Sequence, residues 1–309
     1  PDWPKCFGYY IPPTDAETLE WQPNREYKKG QVIIVEESLK IASTDFTTGE
    51  MIDNGNWKNY TKHDYSVFNV WHTWIEYINR LIGALSGFAI LIMAFLSLRK
   101  WKTNKKITLL SILSVFLIGF QAWLGATVVY SVLSPVKITI HMVMALVIVA
   151  VLLYLLQQSK EITKVLQVSK KYKAVLMLAI VLTVIQVIFG TQVRQEVDEA
   201  VKTVGYDQKS LWLENPSLQF YIHRSFSILV LVVNLWLWYV NRKMQWGIKY
   251  LNGILLLILA EAFTGILMYY FDFPILSQPL HLVIASLLFG LQFYVLLEVF
   301  SRSKMLKSS

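Results

Sequence analysis

Three of the five histidines in this chain stand at comparable places. His141, His223 and His281 each fall within the first few residues of a long apolar stretch. Imidazole is costly inside a membrane unless it is paired, ligated or near water, so three at one depth point to a layer of ligands. His223 and His281 open two different stretches and can face each other across a helical core, which is how a bundle offers two axial ligands to a heme iron. A second group lies at 72–80: His72, Glu76 and Asn79 project from one helical face, with Arg80 at i+4 from Glu76. Glu76 is either the local partner of Arg80 or a carboxylate kept for chemistry, and we read it as functional. Arg80 and Arg224 each follow a ligand-like position by one residue, and each either neutralises a heme propionate or snorkels to the interface. Glu261 lies deeper, where a carboxylate is expensive unless protonated or turned inward, and nothing in the sequence names its partner. The single cysteine, Cys6, excludes a disulfide within the chain and any Cys-rich zinc or iron–sulfur site.

The elements that must carry these residues are membrane helices. Of the 309 residues 55% are hydrophobic and only 16% charged, whereas soluble chains carry about 25% charge. Seven apolar stretches, 70–98, 107–130, 138–156, 174–193, 220–240, 250–271 and 280–300, reach the roughly 20 residues that a hydrocarbon core requires. Connections 99–106, 157–173, 241–249 and 301–309 together hold sixteen Lys/Arg against one acid, Glu161, and are expected to face the cytoplasm. Segment 1–69 has eleven acids against seven bases, and 194–219 has five against three, so both are expected outside. The net charge of +8 is therefore a topology signal and not a nucleic-acid footprint.

An internal repeat organises the helices. Tyr77-Ile78-Asn79-Arg80 recurs as Tyr221-Ile222-His223-Arg224 at an offset of 144, and His141 recurs as His281 at 140. Leu124-Gly125 matches Thr264-Gly265, and Gln121 matches Glu261, also at 140. The expected fold is an all-α integral membrane protein of two pseudo-symmetric four-helix bundles, with seven transmembrane helices here and eight in a full chain. An outer amino terminus with an odd helix count, and a start at Pro1, lead to the expectation that the opening helix is absent. The expected divisions are an outer segment 1–69, a first half-bundle 70–156, a cytoplasmic linker 157–173, a second bundle 174–300 and a tail 301–309. The outer segment is expected to cover the first-half pocket, burying the apolar run 32–35, Trp57 and Tyr60 against helix ends.

The opening Pro1-Asp2-Trp3-Pro4-Lys5-Cys6 resembles the outer-loop signature Cys-Pro-Asp-Trp-Pro-x-Cys of the heme A synthase family. Glu76-Tyr77-Ile78-Asn79-Arg80 resembles that family's Glu-x-x-His-Arg element, with Tyr221-Ile222-His223-Arg224 as its second-half partner. Ser134-Pro135 before His141 and Gln278-Pro279 before His281 complete the pattern, which spans nearly the whole chain. The resemblance implies an oxidoreductase of the cell membrane that converts a methyl group of heme O to the formyl group of heme A for terminal oxidase assembly. It proceeds by successive hydroxylations and loss of water from a geminal diol. A resident heme b on His223 and His281 would pass electrons, with both heme sites near the outer face. Heme O would lie near His141 and Glu76, with Glu76 stabilising charge at the reacting carbon or taking its proton.

The resemblance also implies partners: a heme O synthase handing over the substrate, a membrane electron donor, the lipid bilayer and a second copy of the chain in a homo-oligomer. In the family's pattern two loop cysteines close a small loop or exchange with a redox partner; Cys6 matches the second of them, and the first would fall immediately before Pro1. One departure stands out. The family has His where this chain has Asn79, so either one axial bond to His141 suffices in the first half, or His72 replaces the ligand, or that half has lost catalysis. His72 lies seven residues, about 10 Å, from Asn79 along the helix, and is otherwise an interfacial residue beside Trp71 and Trp74. Asn79 favours the main alternative, a cytochrome b-like electron carrier, while Glu76 and the loop signature favour the enzyme. A secondary transporter is supported by the repeat alone.

Overall fold

In lipid every backbone N–H and C=O must be satisfied within the spanning element, so long apolar runs become helices. A computed structural model describes residues 5–36, 38–53, 55–60, 68–130, 134–160 and 166–304. Residues 1–4, which hold much of the opening signature, lie outside them. Its helices are α1 (Val70–Ser97), α2 (Lys105–Tyr130), α3 (Pro135–Gln158), α4 (Lys170–Val204), α5 (Leu218–Lys243), α6 (Tyr250–Tyr270) and α7 (Ser277–Lys304). Among the described residues these seven are long and apolar enough to cross a membrane. The chain is thus a multi-pass membrane protein. Two compact units are present, Pro1–Phe95 with Ile118–Ser134, and Leu96–Leu117 with Pro135–Ser309.

In the second unit α4, α5, α6 and α7 form a ring in which each packs on the next and α7 returns to α4. Helix α3, which the repeat counts with the first half, packs on α4 and α7. The centre is made by Tyr172, Leu176, Leu237, Leu251, Ile254, Val295 and Val299, all essentially inaccessible. Polar contacts inside this core are closed side chain to side chain or onto backbone, because water is absent. Tyr172 Oη donates to the Leu237 carbonyl at 3.1 Å. Gln292 Nε2 donates to Asn234 Oδ1 at 3.1 Å, and Asn234 Nδ2 to the Val230 carbonyl at 2.8 Å, cross-linking α7 to α5.

Helix α4 departs from the sequence reading. Its N-cap is Ser169, whose Oγ accepts from the Tyr172 N–H at 3.1 Å. It then runs 35 residues, about 52 Å at 1.5 Å each, and passes position 193 by roughly three turns before ending at Gly205, φ +92°. The reason is an apolar stripe at helical spacing. Val197, Ala200, Val201 and Val204 pack with Trp212, Leu213, Met268 and Phe273, so the segment read as a connection continues the helix.

In the first unit the segment before α1 is not featureless. Strands β2 (Val32–Val35), β3 (Ser38–Ala42) and β5 (Trp57–Asn59) form an antiparallel sheet in the order β2–β3–β5, with Ile33 opposite Lys40 and Ala42 opposite Trp57. A separate pair joins β1 (Glu26–Tyr27) to β4 (Phe46–Thr47). The expectation that 32–35 and Trp57 bury against helix ends is corrected here. Ile33 and Trp57 instead close a core of the segment's own with Tyr27 and Ala42, because β-branched residues alternating along a strand find a partner face locally. Tyr60 continues the same layer, its N–H donating to the Leu39 carbonyl at 2.9 Å. Gly8, φ +83°, is obligatory, since a Cβ there would stand 2.2 Å from the Gly30 carbonyl oxygen.

Trp57→Ala should cost this small core about 3–5 kcal/mol. Limited proteolysis should then cut the segment before α1 while the helical core resists, and equal resistance in both proteins would contradict a self-contained core.

Candidate functional site

The extension of α4 is what sets the ends of the helices bearing two of the candidate ligands. Glu196 on it accepts from the Ser217 N–H and from Ser217 Oγ, both at 2.6 Å, which anchors the residue before α5. Trp212 Nε1 donates to the Gly205 carbonyl at 3.1 Å and packs on Phe273, in the turn before α7. Lys209 Nζ reaches the Phe273 carbonyl at 3.3 Å. Five residues beyond Leu218 and four beyond Ser277 stand His223 and His281. Their register is therefore tied to one scaffold.

The two rings face each other with centroids 6.4 Å apart and planes at 71°. Two imidazoles bonded to opposite sides of one metal through bonds of about 2 Å have centres about 6 Å apart, so the pair fits an axial couple. Among the described residues no third His, Cys, Asp or Glu joins them into a metal cluster. That donor set suits an iron whose other bonds come from a macrocycle. Each ring also lies over a glycine of a neighbouring helix. A Cβ at Gly190 would stand 3.1 Å from His223 Cε1, and one at Gly265 3.9 Å from His281 Cε1. Gln186 Nε2 donates to the His223 carbonyl at 3.0 Å, fastening α4 to α5 at this level.

The environments of the two rings differ. His281 Nδ1 lies 2.8 Å from Thr264 Oγ1 and 3.0 Å from Glu261 Oε2, both on α6. His223 Nδ1 is buried with no hydrogen-bond partner among the described residues. Sequence reasoning missed the partnership of Glu261 and Thr264 with His281. The signal was available: α6 and α7 form a hairpin turning near 271–276, which brings 264 and 281 to one level, and 261 is one helical turn deeper.

The remaining candidates are placed as follows. In the first unit Glu76 forms an ion pair with Arg80, whose Nη1 also lies 3.5 Å from the Lys5 carbonyl and 3.8 Å from Cys6 Sγ. Cys6 is buried, and Trp74 Nε1 donates to the Pro13 carbonyl at 3.2 Å. The segment before α1 is thus fastened to that helix at Glu76–Arg80. This is the local pairing with Arg80 that the sequence reading set against a carboxylate kept for chemistry. Asn79 and His72 are exposed on α1, with the His72 N–H donating to Asn69 Oδ1 at 3.1 Å. In the second unit His141 is half-buried on α3, where Thr139 and Thr191 hydroxyls meet at 2.8 Å and bind α3 to α4. Arg224 is exposed.

A family model described as cytochrome oxidase assembly protein matches residues 53–293, a span that holds every one of these residues except Cys6. The chain belongs to this family. It is similar to the heme A synthase of Ehrlichia canis (strain Jake), 29% identical over 247 residues, 72% of this chain and 69% of the relative. It is likewise similar to the heme A synthase of Wolbachia pipientis wMel, 27% identical over 251 residues with the same coverage. The candidate residues on the helices, Asn79 among them, lie inside the matched span.

A branched side chain at 190 must displace the imidazole of His223, whereas a methyl at 265 makes an ordinary contact. Gly190→Val should lower stability by about 1–3 kcal/mol and Gly265→Ala by much less, read as thermal unfolding in detergent. The reverse order would discount the packing of His223 on α4.

Proposed function

We infer that this chain is a heme A synthase, oxidising the methyl group of heme O to the formyl group of heme A with a resident heme b. The single observation that carries the reading is the pair His223 and His281, 6.4 Å apart on two helices of one ring, in a chain of the cytochrome oxidase assembly family. Bound there, heme b supplies one-electron transfer. The protein's own part is to hold both imidazoles at fixed height, through Glu196, Gln186 and the glycines at 190 and 265, and to exclude water from between them. From the resemblance, His141 is proposed as a ligand of the heme O iron and Glu76 as the carboxylate that acts in catalysis. A carboxylate in that role either stabilises positive charge at carbon or removes a proton. Arg80, besides holding Glu76, orients it, and Arg224, exposed beside the axial pair, suits a propionate.

The basic connections are assigned to the cytoplasm and the heme sites to the outer side of the cell membrane. Heme O reaches the protein from the enzyme that makes it, and electrons come from a membrane donor. Asn79, standing exposed where the family pattern has His, favours the alternative of an electron carrier without substrate chemistry.

Pigment extracted from the purified protein separates the two: heme b with heme O and heme A indicates the enzyme, and heme b alone the carrier. His223→Ala and His281→Ala should each abolish the low-spin spectrum of heme b, and a signal unchanged in both would remove the assignment. Glu76→Gln should keep the fold and heme b yet stop conversion or stall it at a hydroxylated intermediate. Full turnover by that variant would leave Glu76 as a structural partner of Arg80.

A further inference from the structure

We propose that Glu261 is a positioning residue that fixes which nitrogen of His281 meets iron and tunes the resident heme, a role that rests on the assignment of heme b to His223 and His281. A neutral imidazole carries one proton, and the partner of one nitrogen decides which nitrogen is left for a metal. At His281 two oxygens meet Nδ1, Thr264 Oγ1 at 2.8 Å and Glu261 Oε2 at 3.0 Å. The hydroxyl of Thr264 has a single proton, and the backbone carbonyls of Ala260 and Glu261, each at 3.0 Å, give that proton an acceptor other than the ring. Toward the ring Thr264 therefore offers lone pairs. A nitrogen flanked by two acceptors is the one that bears hydrogen, so Nδ1 donates and Nε2 is the ligand.

The consequence is an inequality between the two axial ligands. A carboxylate accepting from the far nitrogen raises the basicity of the near one, which strengthens its bond to iron and favours the ferric state. His223 lacks that support: its Nδ1 has no hydrogen-bond partner among the described residues and lies by Gly190. The repeat shows where the device is used. At the offset of 140 that relates His281 to His141, Glu261 becomes Gln121 and Thr264 becomes Leu124. The carboxylate and the hydroxyl are thus present in the half assigned a permanent heme and replaced in the half whose heme is substrate and must leave. Glu261 separates a heme that is retained from one that is exchanged.

The test uses the full chain in detergent, loaded with heme b, as the unaltered protein and as Glu261→Gln, Glu261→Asp and Thr264→Val. Three quantities are read: the midpoint potential, the electron paramagnetic resonance of the ferric low-spin state, and the rate of heme loss to apomyoglobin. Glu261→Gln should raise the midpoint potential, shift the resonance and speed heme loss roughly tenfold or more. Glu261→Asp should recover part of the change, and Thr264→Val should move the potential in the same direction by less. If Glu261→Gln does not fold, Thr264→Val decides alone. A potential and loss rate unmoved in the folded variants overturn the role of Glu261 while heme b still depends on His281. Heme b that survives His281→Ala overturns the ligand assignment itself, and this role with it.

Discussion

A polar side chain in the hydrocarbon of a membrane holds its place only when its hydrogen bonds are closed within the protein, since an unsatisfied group there costs several kcal/mol. The arrangement of the second unit follows from that constraint at His281. Its Nδ1 is met by Thr264 and Glu261 across the α6–α7 hairpin, which requires the two helices to approach closely. Glycine at 190 admits the facing ring, since a Cβ there would stand 3.1 Å from His223 Cε1. Deeper in the same bundle Gln292 donates to Asn234, which donates in turn to the Val230 carbonyl. The apolar residues fill the space between these polar contacts, and the polar contacts set the register.

Register within the bundle is reinforced from beyond it. The extra turns of α4 project past the apolar span and present Glu196 to the residue preceding α5, while Trp212 and Phe273 join the connection after α4 to the turn before α7. Both histidine-bearing helices are consequently anchored near their first turns. A helix anchored there cannot slide by a residue without breaking carboxylate bonds and an aromatic contact together. In the first unit the segment before α1 makes its own sheet and core, then attaches to α1 through Trp74 and through the cluster of Glu76, Arg80 and Cys6. The carboxylate assigned to chemistry is thus already held by a guanidinium that also touches the backbone at Lys5. Such a carboxylate has a fixed direction, which suits an electrostatic role better than a mobile base.

Family membership and geometry bear on different parts of the functional reading. The matched span identifies the class of protein, and the geometry of the histidine pair supports the proposed place for an iron. Asn79 lies in the matched span too, and the exposure of both Asn79 and His72 on α1 keeps the first half unlike the second. The two halves of the repeat therefore share helices and diverge in chemistry. Glu261 against Gln121, Thr264 against Leu124 and His223 against Asn79 all place the stronger metal-binding group in the second half.

Hydropathy alone located seven helices, because a run of about 20 apolar residues has no other stable form in lipid. Position at the head of an apolar stretch brought out His141, His223 and His281 as a set, and the repeat added that His141 recurs as His281. The start of α5 and α7 was legible within a few residues, but the end of α4 was not, because Val197, Val201 and Val204 are sparse among charged neighbours and helical only through Trp212 and Phe273. The core of the segment before α1 was equally hidden, as strand pairing between 33 and 40 or 42 and 57 is set by contacts distant in sequence. Sequence by itself determined which residues lie in the membrane and which of them are too costly to be idle. Tertiary structure decided that Glu261 and Thr264 meet His281 Nδ1 and that residue 190 lies against the ring of His223. Those depend on distances of a few ångströms between different helices, and no periodicity along one helix encodes them.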